Sequence, residues 1–399
     1  MSALKKALHS TVIGISRVAS KLLPDRVPMT FIGPDATAEL CASMAQTAAT
    51  KVLVVTDAGL VKAGIVSRVT AALDAVGLAF AVYDGVEPDP TFDQVEAGFA
   101  TLEREGCDAI LALGGGSPMD AAKVIAAMAT NGKDARKLEG MMKVRKPPVP
   151  LYAIPTTAGT GSEVTVAAVV SDAQSHAKKF FIDPKLLPEM AALDPSLMVG
   201  LPPAITAATG MDALTHAVES FIARTSNPQT ERWATAAVRL IFANLAKAYA
   251  DGTSLEARKA MSLASYYAGL AFTRTSVGYV HAIAHTFGAY YRTPHGMANA
   301  IVLPHVLEFS KPEAEARLAR LAEVIGIEAG SESEKATAFI AAVRSLMAEI
   351  GIPYQLEALR ADDIPAIAQQ ALAEAHLNYP VPRYMDTPAC EGLLREILG

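Results

Sequence analysis

Three of the chain's eight histidines, His281, His285 and His295, fall in one stretch, Val277–Gly296, reading VGYVHAIAHTFGAYYRTPHG. Almost everything else between Val277 and Gly288 is apolar or small, so a helix here is buried on most of its circumference. An imidazole in such a helix has to be hydrogen-bonded or metal-bound, because an unpaired polar atom away from water is costly. His281 and His285 stand four apart and project from one face. His295 follows a break at Gly288 and a turn at Arg292-Thr293-Pro294, which lets the chain double back. The plainer reading of this stretch is two core histidines bonded to carbonyls and a third in a turn.

A second pair lies upstream in GMDALTHAVE, where Asp212 and His216 are again four apart on one helix face. Leu214, Val218, Phe221 and Ile222 form the opposite, apolar stripe, so a solvated polar stripe competes with a metal site here. The case for a metal is the combination: one carboxylate and up to three imidazoles. Divalent Fe or Zn takes N/O ligands of this kind, whereas Ca or Mg requires more oxygens and a structural zinc requires cysteines. A zincin is excluded because Ala282 follows His281 where the HExxH pattern needs Glu.

The elements that must position these residues come in two kinds. From Met29 to about Leu193 short β-branched runs alternate with helical patterns. Strands are predicted at Lys51–Thr56, Ala79–Tyr83, Ala109–Leu113 and Pro150–Ile154, with helices at Leu60–Val76, Phe92–Glu105 and Pro118–Ala129. This alternation implies a parallel sheet covered on both faces. Beyond Pro202 the strand signal stops and alanine-rich amphipathic helices follow, at 211–224, 231–250, 255–271, 278–288, 313–325, 334–350 and 362–375. The seam at Gly200-Leu201-Pro202-Pro203 gives an α/β domain over 1–200 and an all-helical domain over 201–399.

The strand Ala109–Leu113 runs into Gly114-Gly115-Gly116-Ser117-Pro118-Met119-Asp120. Bare glycines permit close backbone approach, Ser117 is a good N-cap and Pro118 suits the first helical position. Free N–H groups at such a helix start bind a pyrophosphate, although no GxGxxG fingerprint occurs in the chain and a plain turn would look similar. Asp57 ends another strand, as a ribose-binding carboxylate or a simple helix N-cap. A third strand leads to Thr156-Thr157-Ala158-Gly159-Thr160-Gly161-Ser162, rich in hydroxyls. Three polar loops at the carboxyl ends of parallel strands suggest one nucleotide site.

Composition narrows the class. Charged residues are 19%, apolar residues 51% and net charge is −6, which gives no electrostatic reason for a nucleic-acid partner. No apolar run reaches the roughly 18 residues that span a bilayer. Three scattered cysteines, Cys41, Cys107 and Cys390, suit a reducing, cytoplasmic location. Residues 1–24 carry Lys5, Lys6, Arg17 and Lys21 and no acid; a surface helix is favoured over a transit peptide, since Ser/Arg richness is missing.

GGGSPMD, PTTAGTGSEVT, GMDALTHAVE and VHAIAHTFGAYYRTPHG, in this order from about Arg26 onward, resemble the iron-containing (group III) alcohol dehydrogenases. The resemblance implies a dehydroquinate-synthase-like fold with a dinucleotide-binding α/β domain and a helical metal domain, the cofactor and metal facing across a cleft. It implies Asp212, His216, His281 and His295 as metal ligands for Fe(II), with Zn(II) as the alternative. His285 lies outside that shell as a substrate-binding or proton-handling group. Cofactor contacts are implied at Asp57, Gly114, Gly115, Gly116, Ser117, Asp120, Thr156, Thr157, Thr160 and Lys179. In that family an acid at the Asp57 position goes with NAD and glycine with NADP. A homodimer is implied as well.

The chemistry then expected is hydride transfer between a primary alcohol or aldehyde and the nicotinamide, with the metal polarising the oxygen. By motif position Ala167, Phe272 and Leu377 line the substrate pocket. Relatives handling small diols carry a polar residue at the Ala167 position, so an apolar lining points to simple alcohols. Arg274 and Tyr279, just ahead of His281, offer the rival of a hydroxyacid dehydrogenase or hydroxyacid-oxoacid transhydrogenase, unless Arg274 merely pairs with an acid. A dehydroquinate-synthase-like lyase would need a cluster of basic residues that the helical half lacks.

Overall fold

The computed structural model describes residues 26–174, 177–328 and 330–399, with Leu377 described in its backbone only. The 1–24 segment lies outside the described residues. The chain separates into two compact units, Pro24–Gly200 and a second whose described part is Leu201–Gly399.

The described residues of the first unit form nine strands: β1 (Met29–Ile32), β2 (Lys51–Val55), β3 (Ala79–Tyr83), β4 (Ala109–Gly114), β5 (Gly140–Met141), β6 (Leu151–Pro155), β7 (Ala167–Ser171), β8 (Lys178–Ile182) and β9 (Met190–Leu193). Six of them pair in parallel in the order β1-β9-β6-β4-β2-β3, and β5, β8 and β7 form a small second sheet. Every residue of β4 and β6 is buried, as expected of strands covered on both faces. Alternate residues of β2 divide accordingly. Leu53 and Val55 pack with Phe92, Phe99 and Met119, whereas Val52 and Val54 pack with Leu40, Val69 and Leu73. Helices α1 (Ala36–Met44) and α3 (Ile65–Ala75) therefore cover one face, and α4 (Phe92–Glu105) and α5 (Gly116–Asn131) the other.

The chain leaves β2 toward β3 on one side and β4 toward β6 on the other, so the strand order reverses between β2 and β4. Their carboxyl ends frame the crevice where ligands bind in open α/β sheets.

Three local expectations change. The helix anticipated over Leu60–Val76 is two, α2 (Ala58–Lys62) and α3, because Gly64 turns left-handed at φ 72°. The helix after the glycine run begins at Gly116 with Gly115 as its N-cap, so Ser117 and Pro118 sit inside the first turn rather than at the cap and first position. A strand edge β1, strand β9, helix α1 and the second sheet were not foreseen, their segments being short or weakly periodic.

The second unit consists of α6 (Pro203–Ile222), α7 (Pro228–Ala250), α8 (Leu255–Thr275), α9 (Tyr279–Tyr291), α10 (His295–Val324), α11 (Glu332–Glu349), α12 (Ile364–Asn378) and α13 (Thr387–Ile397). Helix α6 is buried almost all round from Gly210 to Ile222 and packs against α7, α8 and α10, which makes it the axis of the unit. Gly288 does not break α9, which continues to Tyr291; the chain reverses instead at Arg292, in the left-handed region at φ 55°. The segment expected over 313–325 is the end of the 30-residue α10, which runs through Pro304 and Pro312. Burial of Ile301, Val302, Leu303, Val306 and Leu307 around the first proline offsets the missing backbone bond. Among the described residues no helix is long and apolar enough to cross a membrane.

The start of α10 lies unusually close to α6. A Cβ added at Gly296 would stand 2.2 Å from the Ala208 carbonyl oxygen, a backbone atom. Gly296→Ala is therefore expected to destabilise the fold by about 1–3 kcal/mol, measured by thermal or urea unfolding; an unchanged midpoint would contradict this packing.

Candidate metal centre and phosphate loop

Helix α6 carries Asp212 and His216 on one face, both less than 5% exposed, so the solvated-stripe reading of this pair fails. Helix α9 presents His281 and His285, and His295 is the first residue of α10. One donor atom each from Asp212, His216 and His281 fall within 4.8 Å of one another. Asp212 is the hub, its carboxylate oxygens lying 4.0 Å from His216 Nδ1, 3.8 Å from His281 Nε2 and 3.5 Å from His295 Nε2. The Nε2 atoms of His216 and His281 are 3.0 Å apart. Ligands on a tetrahedral ion with bonds of about 2.0–2.1 Å lie roughly 3.4 Å from each other, so this donor set fits a divalent cation of the Fe or Zn kind.

Two residues that the sequence reading left without a role complete the arrangement. Glu219 accepts from the backbone N–H groups of Gly278 and Val280 at 2.9 and 2.8 Å and sits 2.6 Å from His281 Nδ1. With that nitrogen donating to the carboxylate, Nε2 presents its lone pair to the cluster, as in the carboxylate–histidine pairs behind metal ligands. Burial raises the Glu219 carboxyl above its ordinary value, and those N–H donors oppose it by favouring the ionised form. His281 is held well below its ordinary value by burial, reinforced by the neighbouring imidazoles, which keeps it neutral as a ligand must be. Asn299, fully buried, donates Nδ2 to Asp212 at 2.7 Å and lies 3.1 and 3.3 Å from His295 and His281 Nε2. Both have a signal in spacing: Glu219 is seven residues after Asp212, and Asn299 four after His295, on the same helix faces.

His285 is stacked on His295, centroids 5.4 Å apart, and its Nδ1 lies 2.7 Å from Glu374, which also accepts from the Tyr379 hydroxyl at 2.5 Å. The Phe272 ring stacks on His216 at 4.0 Å. The Leu377 side chain lies outside the described residues. Tyr279 is a core residue, its hydroxyl accepting the Met385 N–H at 2.9 Å. The Arg274 guanidinium lies over the Trp233 ring at 4.9 Å.

In the α/β unit the three polar loops follow β2, β4 and β6, which are adjacent in the sheet. A Cβ at Gly116 would stand 2.8 Å from Thr160 Cγ2, and one at Gly115 would stand 3.2 Å from Thr157 Oγ1. Thr156 N–H donates to the Gly114 carbonyl at 3.0 Å. The glycine turn and the hydroxyl loop are thus in contact. Ser117 Oγ accepts from the Asp89 N–H at 3.3 Å. Asp57 caps α2 through the Leu60 N–H at 3.0 Å, which does not exhaust its carboxylate. Lys179, on β8, pairs with Glu139 at 3.1 Å on a partly exposed surface. Asp120 turns inward, accepting from Ser162 Oγ at 2.9 Å and the Val169 N–H at 3.0 Å. Ala167 begins β7, half-buried.

A family model described as iron-containing alcohol dehydrogenase matches residues 28–195, and one described as the C-terminal part of the Fe-containing alcohol dehydrogenase family matches residues 206–398. The chain belongs to the iron-containing alcohol dehydrogenase family. It is 42% identical over 328 residues to lactaldehyde reductase of Escherichia coli (strain K12), spanning 81% of this chain and 85% of that protein. To 1,3-propanediol dehydrogenase of Klebsiella pneumoniae it is 40% identical over 366 residues, 90% and 94% of the two chains. A crystal structure of 1,3-propanediol oxidoreductase superposes with a TM-score of 0.91 at 40% identity, covering 93% of this chain and 98% of the other. The chain is thus an alcohol dehydrogenase oxidoreductase of this family.

Glu219→Gln should lower the affinity for Fe(II) or Zn(II) by about 10–100-fold, read by metal titration. Affinity equal to that of the unsubstituted protein would remove Glu219 from the centre.

Proposed function

We propose that this alcohol dehydrogenase interconverts a short primary alcohol and its aldehyde, using NAD and a divalent cation, Fe(II) or Zn(II), held by Asp212, His216, His281 and His295. The observation that carries the reading is the convergence of three imidazoles on the Asp212 carboxylate, with Glu219 behind His281. When bound, the cation supplies the positive charge that polarises an alcohol or carbonyl oxygen, and the nicotinamide accepts or returns the hydride.

The chain's own residues supply the rest. Glu219 and Asn299 hold His281 and Asp212 in fixed rotamers, so the donors need not reorganise. His285, with Nδ1 fixed by Glu374, is the group we assign to proton transfer with the substrate hydroxyl. Phe272, Ala167 and Leu377 are assigned to an apolar substrate lining. Relatives named for lactaldehyde, 1,3-propanediol and methanol support a short substrate. Cofactor binding is assigned to the Gly114, Gly115, Gly116 and Ser117 turn at the start of α5, with Thr156, Thr157 and Thr160 beside it, Lys179 and Asp57. Asp120 supports that loop from within. NAD finds support in a relative named as an NAD-dependent methanol dehydrogenase. We further propose a cytoplasmic homodimer; the three cysteines are free and buried, which suits a reducing compartment.

The test follows NADH absorbance against a panel of alcohols, aldehydes and hydroxyacids after loading with Fe(II) or Zn(II). His281→Ala should lower turnover at least ~10³-fold, the several kcal/mol of charge stabilisation at stake, while NADH still binds. Full activity in that variant, with its metal content measured, would refute the ligand assignment. Asp57→Gly should narrow the preference for NAD over NADP by about tenfold, since like charges near 4 Å repel by ~1–4 kcal/mol; an unaltered ratio would exclude Asp57 from cofactor choice.

A further inference from the structure

Beneath the glycine turn lies a buried charged cluster that the reaction does not use directly. Lys123 is 1% exposed. Its ammonium donates to Ser162 Oγ at 2.8 Å, Thr165 Oγ1 at 2.9 Å and the Ala167 carbonyl at 2.7 Å, so each of its three donors has an acceptor. Asp120, bonded to Ser162 and to the Val169 N–H, is its nearby counter-charge, and Glu163 is buried beside them. Burial pushes the Lys123 ammonium down to about 8, against the pull of Asp120 and Glu163.

Stability alone does not account for such a group, because replacing a buried ion cluster by apolar side chains of similar volume is often neutral or favourable. Its geometry suggests another reason. Gly116, Asp120 and Lys123 fall at i, i+4 and i+7 on α5, one stripe running two turns down from the helix start. All three meet the same partner. Gly116 abuts Thr160, Asp120 accepts from Ser162, and Lys123 gathers Ser162, Thr165 and Ala167. The stripe thus fastens the hydroxyl loop along α5, the helix whose N–H groups open the glycine turn.

We propose that Lys123 is a positioning residue for the cofactor: its ammonium locks the loop from Thr156 to Thr165 against α5, so that loop hydroxyls and glycine-turn N–H groups form one pyrophosphate-binding surface. This rests on the NAD reading above.

The experiment is an NADH fluorescence titration of the full chain and of Lys123→Met, with thermal melting and metal content measured alongside. Expected is a rise in NADH Kd of at least ~10-fold, the scale of hydrogen bonds to a charged group, with kcat at saturating NAD and metal content kept within about threefold. A folded Lys123→Met whose NADH Kd stays within twofold of the unsubstituted protein overturns the proposal while leaving the NAD reading intact. No NADH binding by the unsubstituted protein overturns both. Should Lys123→Met fail to fold, Ser162→Ala and Thr165→Val, which keep the ammonium, decide: a weaker NADH affinity in either supports the proposal, and an unchanged affinity in both overturns it.

Discussion

The helical unit depends on one buried carboxylate. Glu219 lies a turn beyond His216 on α6, and it takes the N–H groups of Gly278 and Val280 at the very start of α9 together with the Nδ1 side of His281. A helix start leaves backbone donors unpaired, and a carboxylate is the strongest acceptor a side chain can bring to them. The same oxygens that dock α9 on α6 also set the rotation of the His281 ring. Tertiary packing and the orientation of the His281 ring are thereby a single interaction, and neither can be altered without the other.

Asn299 plays the corresponding part for α10. It sits one turn past His295 and its amide reaches Asp212 on α6, so each of the three helices bearing metal-binding candidates is cross-linked to the others by a polar contact away from solvent. An uncompensated polar atom in that interior would be costly. The arrangement restricts the donors to few geometries, which is what preorganisation at such a centre requires.

Much of this was legible in the amino-acid order. The i,i+4 pairs Asp212/His216 and His281/His285 announced shared faces, and the structure brings the first pair and His281 together. Strands β2, β3, β4 and β6 read from their β-branched runs to within a residue, because fully covered strands tolerate little but apolar side chains. What stayed hidden was decided by contacts between distant segments. Gly64 and Arg292 punctuate helices through left-handed backbone, and Pro304 sits within a helix because its neighbours are buried. The resemblance implied a cofactor contact at Asp120; its carboxylate accepts from Ser162, a partner 42 residues away that spacing cannot reveal. Glu219 closes the GMDALTHAVE motif and Asn299 lies three residues past Gly296, but a carboxylate or amide has no signature until its partner is in view.

The close approach of Gly296 to Ala208 has a consequence for how this scaffold diversifies. Main chain there meets main chain, so the spacing between the helices that carry Asp212 and His295 is not governed by the volume of any intervening side chain. Side-chain exchanges elsewhere in the helical unit can then be accommodated without retuning the distance between Asp212 and His295. In such a design the spacing of those two residues is a heritable trait that selection can hold fixed while the surrounding side chains vary.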